Sequence, residues 1–156
     1  MIRNIFRSTV CIFALVTTAV AYAAVPLPHD ENLVTGINDC IVNQYQHVTI
    51  ESIHYDPPIA SVTYYFGPAD SVTQDFIQEK SGRWRCALHI NPGTVLPTPT
   101  QHAQLLQQQL LSIGQSVSPA HLNDFVTGHH GHTFYVHQTF SPHAMMQLAP
   151  TSHATP

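Results

Sequence analysis

The chain has 156 residues, a length that predicts a single domain. Hydrophobic residues make up 44% of it and charged residues only 9%, which excludes a charge-rich disordered protein and a coiled coil. Five basic residues stand against nine acidic ones, and the resulting net charge of −4 has the wrong sign for a nucleic-acid-binding protein.

The first 23 residues have the pattern of an export signal. Arg3 and Arg7 form a basic start, and an apolar stretch follows from Val10 to Tyr22. Ala21-Tyr22-Ala23 then supplies a small-x-small cleavage site. A membrane anchor is the alternative, but the apolar run of about 13 residues is shorter than the roughly 20 that a spanning helix needs. We therefore predict cleavage after Ala23, no membrane anchor in the mature chain, and a periplasmic or secreted product.

The mature chain would keep two cysteines, Cys40 and Cys86, because Cys11 lies within the signal. Two cysteines in an exported protein most simply form a disulfide. A free nucleophilic or metal-binding thiol is the alternative, which an oxidising compartment disfavours. We expect one domain over residues 24–140, followed by a flexible tail over 141–156.

The first predicted elements are a helix and an antiparallel meander. Asp30 is a suitable cap for a helix that runs to about Gln46, although Gly36 inside this pattern favours a later start. From Val48 onward the hydrophobic period changes to two, and turn residues interrupt the chain at three places. The four predicted strands span Val48 to Tyr55, Ile59 to Phe66, Val72 to Glu79 and Arg83 to Ile90.

The fourth predicted strand suggests where the disulfide lies. By alternation Trp84, Cys86, Leu88 and Ile90 share one face of the sheet. Because Cys40 falls on the apolar stripe of the first helix, we expect both cysteines to point into the same interior.

The second half of the mature chain predicts two short helices and a closing strand. Residues 91–99 contain three prolines and a glycine and form a connector. Thr98 opens one helix with a capping box, and Ser118-Pro119 opens another. Residues from Thr133 to Phe140 alternate again and are a candidate closing strand. The predicted fold class is therefore α+β: an N-terminal helix on a three- to four-stranded antiparallel meander, then two helices and this strand.

Histidines dominate the polar chemistry of the last 70 residues. From Cys86 onward Asp124 is the only formally charged side chain, whereas nine of the twelve histidines lie there. A pH-dependent interaction is one hypothesis, because the ordinary histidine pKa is about 6.5. Plain neutral surface polarity is the other.

A compact group of these histidines is the candidate metal site. Imidazole suits Zn and Cu(II), so Zn or Cu would be the expected cofactor. Alternation places His132 and His137 on opposite faces of a strand. The site therefore needs a bulge or a further ligand, for which the candidates are His54, Asp56, His121 and His143. The candidate ligands are His129, His130, His132 and His137.

A small basic group is the candidate binding patch for a protein or an anionic envelope component. It consists of Lys80, Arg83, Trp84 and Arg85. The guanidinium groups can donate two parallel hydrogen bonds to such a partner. The alternative is that these cations neutralise Asp75 and Glu79 across the hairpin.

We recognise no set of catalytic residues in the sequence, since it contains neither a Gly-x-Ser-x-Gly motif nor a His-Glu-x-x-His motif. We expect a non-enzymatic, exported, disulfide-containing binding or accessory protein. The first alternative is a transition-metal-binding protein that uses the histidine group. The second is a hydrolase whose site the sequence does not identify.

Overall fold

A computed structural model describes residues 27–68, 71–91, 93 and 95–148 of the protein. The predicted α+β class is confirmed, whereas the predicted export signal lies outside the described residues. The elements in chain order are α1 (Glu31–Cys40), a 3-10 turn (Val42–Gln44), β1 (Val48–Asp56), β2 (Ile59–Tyr65), β3 (Val72–Gln78), β4 (Trp84–Ile90), α2 (Pro99–Ser112), α3 (Pro119–Val126) and β5 (His132–Phe140).

The strands form one antiparallel sheet in the order β4-β3-β2-β1-β5. β1 to β4 are the predicted meander, and the candidate closing strand is the fifth strand. It returns after α3 and pairs with β1. β1 therefore becomes an interior strand, with neighbours on both sides.

The sheet separates two hydrophobic clusters, one under α1 and one under α2 and α3. The first includes Leu33 and Ile37 of α1 with Ile53, Val62 and Phe76 of the sheet. The second joins Ile59 and Ile77 of the sheet to Ala103, Leu106, Leu110, Leu122 and Phe125. Both faces of the sheet are thus covered, which is why strands β2 and β3 contain apolar residues on both sides.

Helix α1 begins where its cap predicts but ends earlier. The Asp30 carboxylate accepts a hydrogen bond from the Leu33 N–H at 3.0 Å. A helix start after Gly36 is wrong, because Gly36 is buried in the middle of the helix. A Cβ at this position would lie 3.3 Å from the Cβ of Trp84. Glycine therefore lets α1 approach β4 closely, and this packing compensates for its low helix propensity.

Cys40 and Cys86 form a disulfide whose Cα atoms are 6.4 Å apart. Both cysteines lie on the α1 side of the sheet, as expected, but their expected burial is wrong, since Cys86 is exposed and Cys40 only half-buried. The bond lies at the rim of the sheet because β4 is an edge strand. The alternation also fails beyond Cys86: a bulge in the β3–β4 pairing leaves Leu88 packed against the cluster under α2 and α3.

The segment predicted as a flexible tail is anchored over residues 141–148. Met146 is buried in the cluster under α1. Its backbone N–H and carbonyl both bond to the side chain of Asn38, at 3.0 and 2.9 Å. One apolar side chain and a two-sided amide contact thus hold this part of the tail on α1. Among the helices in the described part of the chain, none has the length and hydrophobicity needed to cross a bilayer.

Candidate functional site

A row of polar side chains crosses the sheet beneath α2 and α3. Asp75 of β3 pairs with Ser61 of β2, Ser61 with His54 of β1, and His54 with Thr133 of β5. Directly opposed residues in a sheet place their side chains next to each other on the same face. On this face the row has Ile59 and Ile77 of the apolar cluster on one side and the polar residues Ser52, Thr63 and Thr73 on the other.

Asp75 is the most buried member of the row, with no solvent exposure. The Ser61 hydroxyl donates a hydrogen bond to one of its carboxylate oxygens. The Nε2 atom of His102, from α2, donates to the other. The order is not that of a Ser-His-Asp triad, because the carboxylate lies between the hydroxyl and the imidazole. Ser61 is consequently not activated as a nucleophile by His102.

An open cavity of about 420 Å³ lies over the polar row. Its polar side comes from the sheet and from α2, and its apolar side from β4, the 91–99 connector and α3. The polar lining residues are Ser52, His54, Ser61, Thr73, His102 and Thr133, and the apolar ones are Ile90, Leu96, Pro97, Phe125 and Val126.

A second cluster lies at the end of β1, next to the polar row. Asp56 follows His54 by two residues, and its Oδ2 atom accepts hydrogen bonds from His121 Nε2 at 2.6 Å and His130 Nδ1 at 3.0 Å. The three ligand atoms of Asp56, His121 and His130 lie within 4.8 Å of one another. No other group of three such residues with this geometry occurs in the described ranges.

Three different elements bring these side chains together. Asp56 is the last residue of β1. His121 lies in the first turn of α3, where the Ser118 side chain caps its backbone N–H at 3.2 Å. His130 follows α3, and its backbone N–H bonds the Asp124 carbonyl at 3.2 Å.

Gly131 allows the loop after α3 to reach Asp56. Its φ of +92° is a conformation that favours glycine. A Cβ at this position would lie 2.9 Å from the Asp56 Cβ and 3.1 Å from His54 Nε2. Any larger residue would therefore push the His130 loop away from β1.

His54 connects the two clusters. Its Nε2 atom donates to the His130 carbonyl at 2.7 Å, and its Nδ1 atom bonds the Thr133 hydroxyl at 2.8 Å. Its ring also lies 4.8 Å from that of Phe125. The side chain that borders the cavity thereby also holds the loop that carries His130.

The four predicted metal ligands do not come together in the structure. Only His130 joins the Asp56 cluster. His129 contacts the Thr127 hydroxyl at 3.1 Å, and His132 lies edge-on against Phe134. His137 is exposed on β5, where its ring stacks on Tyr135.

The predicted basic patch is also divided. Trp84 is buried, and its indole N–H donates to Asp30 at 2.9 Å, so it does not belong to a surface patch. Arg85 forms an ion pair with Glu79 at 2.9 Å. This is the pairing that the alternative interpretation expected for Glu79. Lys80 and Arg83 are exposed.

His102 was missed as a candidate, and Asp75 was expected only as an acid opposite the basic group. Strand alternation places Asp75 with Thr73, Ile77 and Glu79, a mostly polar face that does not indicate burial. His102 has no signal of its own, because it merely flanks the apolar stripe of α2. No protein-family model, curated protein or solved structure matches the chain.

Proposed function

We propose that the protein is an exported binding protein whose ligand is a transition-metal ion, held by Asp56, His121 and His130. The observation that carries this proposal is the convergence of one carboxylate oxygen and two imidazole nitrogens within 4.8 Å. Two imidazoles and a carboxylate form a common protein ligand set for zinc, and they leave a fourth position for water or another ligand.

The two distances from the Asp56 oxygen to the histidine nitrogens are close to those that zinc requires. Ligand atoms about 2.0–2.1 Å from a tetrahedral zinc ion are about 3.3 Å apart. The two contacts to the Asp56 oxygen, at 2.6 and 3.0 Å, would each lengthen by less than 1 Å. The ring proton of each histidine would move to its other nitrogen, because the metal binds the lone pair.

His54 supports the site from outside the ligand set. Its bond to the His130 carbonyl fixes the loop behind one ligand. Such outer contacts orient metal ligands and add to their affinity. The alternative is that the two histidines only bond the Asp56 carboxylate, with no metal involved.

Calorimetric titration of the metal-free protein with Zn(II), repeated with Cu(II), tests the proposal. We expect one equivalent of zinc to bind. Changing His130 to Ala should weaken binding by more than the roughly 10- to 100-fold that loss of an outer contact costs. Asp56→Asn should do the same while keeping the side-chain shape.

His129→Ala is the matched control, because His129 is an exposed neighbour outside the cluster. Its zinc affinity should stay within about twofold of the unchanged protein. Equal zinc affinity in the protein and in the combined Asp56→Asn and His130→Ala variant would contradict the proposed site, and so would the absence of zinc binding at millimolar metal.

Export is proposed on the sequence of residues 1–23, and the disulfide is compatible with it, since such bonds persist in oxidising compartments. A periplasmic or secreted protein is accordingly the expected product. Mass spectrometry of the native protein would give a chain that begins at Ala24. Retention of Met1 would contradict export by cleavage.

A further inference from the structure

The cavity over the polar row is separate from the ligand atoms of the proposed metal site. Two of its lining residues, Ser61 and His102, bond to Asp75, a carboxylate behind the lining that has no solvent exposure. Burial of a carboxylate is costly unless hydrogen bonds compensate. Buried ionisable groups with specific partners beside a cavity are typical of functional sites.

We infer that this cavity binds a small neutral phenol, that is, an aromatic ring that carries a hydroxyl group, with its hydroxyl on His102 and its ring beside Phe125. The volume of about 420 Å³ is within the range of small-molecule sites. The inference does not depend on metal binding, because none of the three proposed ligands lines the cavity.

The hydroxyl group of the ligand is inferred from His102, because Asp75 determines which ring nitrogen of His102 carries the proton. An ionised carboxylate only accepts hydrogen bonds, so the Nε2 atom of His102 must carry the proton. In the neutral ring Nδ1 is then an acceptor, and no described residue bonds to it. A ligand hydroxyl is a suitable donor. Ser61, which donates to Asp75, retains lone pairs for a second contact.

The aromatic ring of the ligand is inferred from the apolar side of the cavity. Phe125, Val126, Leu96 and Pro97 form this apolar side, and the Phe125 ring centre lies 4.8 Å from that of His54 on the polar side. Aromatic rings pack favourably against such surfaces in tilted or edge-on arrangements. A ring with one polar edge therefore matches a cavity with one polar and one apolar side.

The residues that line the cavity indicate that the ligand is uncharged. None of the described lining residues is Lys, Arg, Asp or Glu, and the Asp75 carboxylate is shielded behind its two partners. While the His54 and His102 rings are neutral, a charged ligand would lose hydration without meeting an opposite charge. The same lining argues against sugars, whose hydroxyls surround the ring and would face the apolar wall unpaired.

Phenol and anisole are a matched pair of probes, because anisole keeps the ring and the oxygen but cannot donate. Binding is measured by NMR titration of the histidine ring signals, with a chelator present so that zinc does not contribute. We expect phenol to shift the His102 signal and to bind about five- to tenfold more tightly than anisole. Equal affinity for the two probes, or a phenol titration without a His102 shift, overturns the inference.

Variants separate the two contacts. His102→Gln should remove the preference for phenol, whereas His47→Gln, the same change at an exposed histidine outside the cavity, should leave it unchanged. Phe125→Leu should weaken the binding of both phenol and anisole, while phenol should still bind more tightly than anisole. A preference that survives in His102→Gln overturns the inference, and the probe comparison on the unchanged protein decides the matter if that variant fails to fold.

Discussion

At the scale of single residues, Asp30 connects three elements. One carboxylate oxygen caps α1 at the Leu33 N–H. The other accepts the Tyr55 hydroxyl of β1 at 3.0 Å and the Trp84 indole N–H of β4 at 2.9 Å. The sequence predicts the cap from the residue type and its position before the helix. It does not predict the other two contacts, because they depend on how the helix is placed over the sheet.

Asp30→Ala should lower the free energy of unfolding by about 2–4 kcal/mol, since it removes a cap worth about 1 kcal/mol and leaves two partly buried donors unpaired. Chemical denaturation measures this loss. Asp39→Ala is the matched control, because Asp39 is an exposed acid on the same helix. The control should change stability by no more than about 0.5 kcal/mol. Similar losses in the two variants would contradict the connecting role of Asp30.

The pKa of Tyr55 leads to a second prediction for a single residue. Burial, followed by the hydrogen bond to Asp30 and the charge of Asp30, raises the pKa of Tyr55 from 10.0 to about 12. The folded protein therefore holds the phenol in its protonated form more strongly than the unfolded chain. The resulting stability is fully present below pH 10.0 and is lost as the pH rises through about 12.

An alkaline titration followed by tyrosinate absorbance should show a late-ionising component that decreases in Tyr55→Phe. Burial also raises the pKa of Tyr64, so part of the late component should remain in this variant. The loss of stability between pH 10 and 12 should be smaller in Tyr55→Phe than in the unchanged protein. A late-ionising component of the same amplitude in the two proteins would contradict the raised pKa of Tyr55.

At the scale of elements, the change of hydrophobic period and the turn residues between the strands predicted the strands well. Predicted and observed bounds of β2, for example, differ only at its last residue. The failures occur at bulges, where one extra residue reverses the alternation. In β4 this moves Leu88 from the α1 side to the α2–α3 side. Nothing in the alternation itself indicates where such an extra residue falls.

The candidate sites were harder to predict than the elements that carry them. His130 was among the predicted metal ligands, and Asp56 and His121 were among the possible additions, but their convergence depends on the path of the loop after α3. The Gly131 contact with Asp56 sets that path, and it joins residues 75 positions apart in the chain. Likewise, the bond between Asp75 and His102 requires knowledge of where α2 crosses the sheet.

At the scale of the whole molecule, the two faces of the sheet have different contents. The face under α1 is an apolar core, linked at its rim by the disulfide. The face under α2 and α3 contains the polar row, the cavity and the Asp56 cluster. Buried apolar contacts lie on both faces, whereas the proposed binding chemistry lies on the face under α2 and α3, away from the disulfide.

This division predicts that loss of the disulfide should weaken the fold without weakening zinc binding. The bond joins residues 46 positions apart. In the chain-entropy model it contributes at most about 4 kcal/mol to the free energy of unfolding. Replacing Cys40 and Cys86 together by Ser should lower the denaturation midpoint accordingly. Calorimetry under conditions where this variant stays folded should still give the original zinc affinity, because its effect is confined to the α1 side. Weaker zinc binding in the folded variant would show that the two faces are coupled through the sheet.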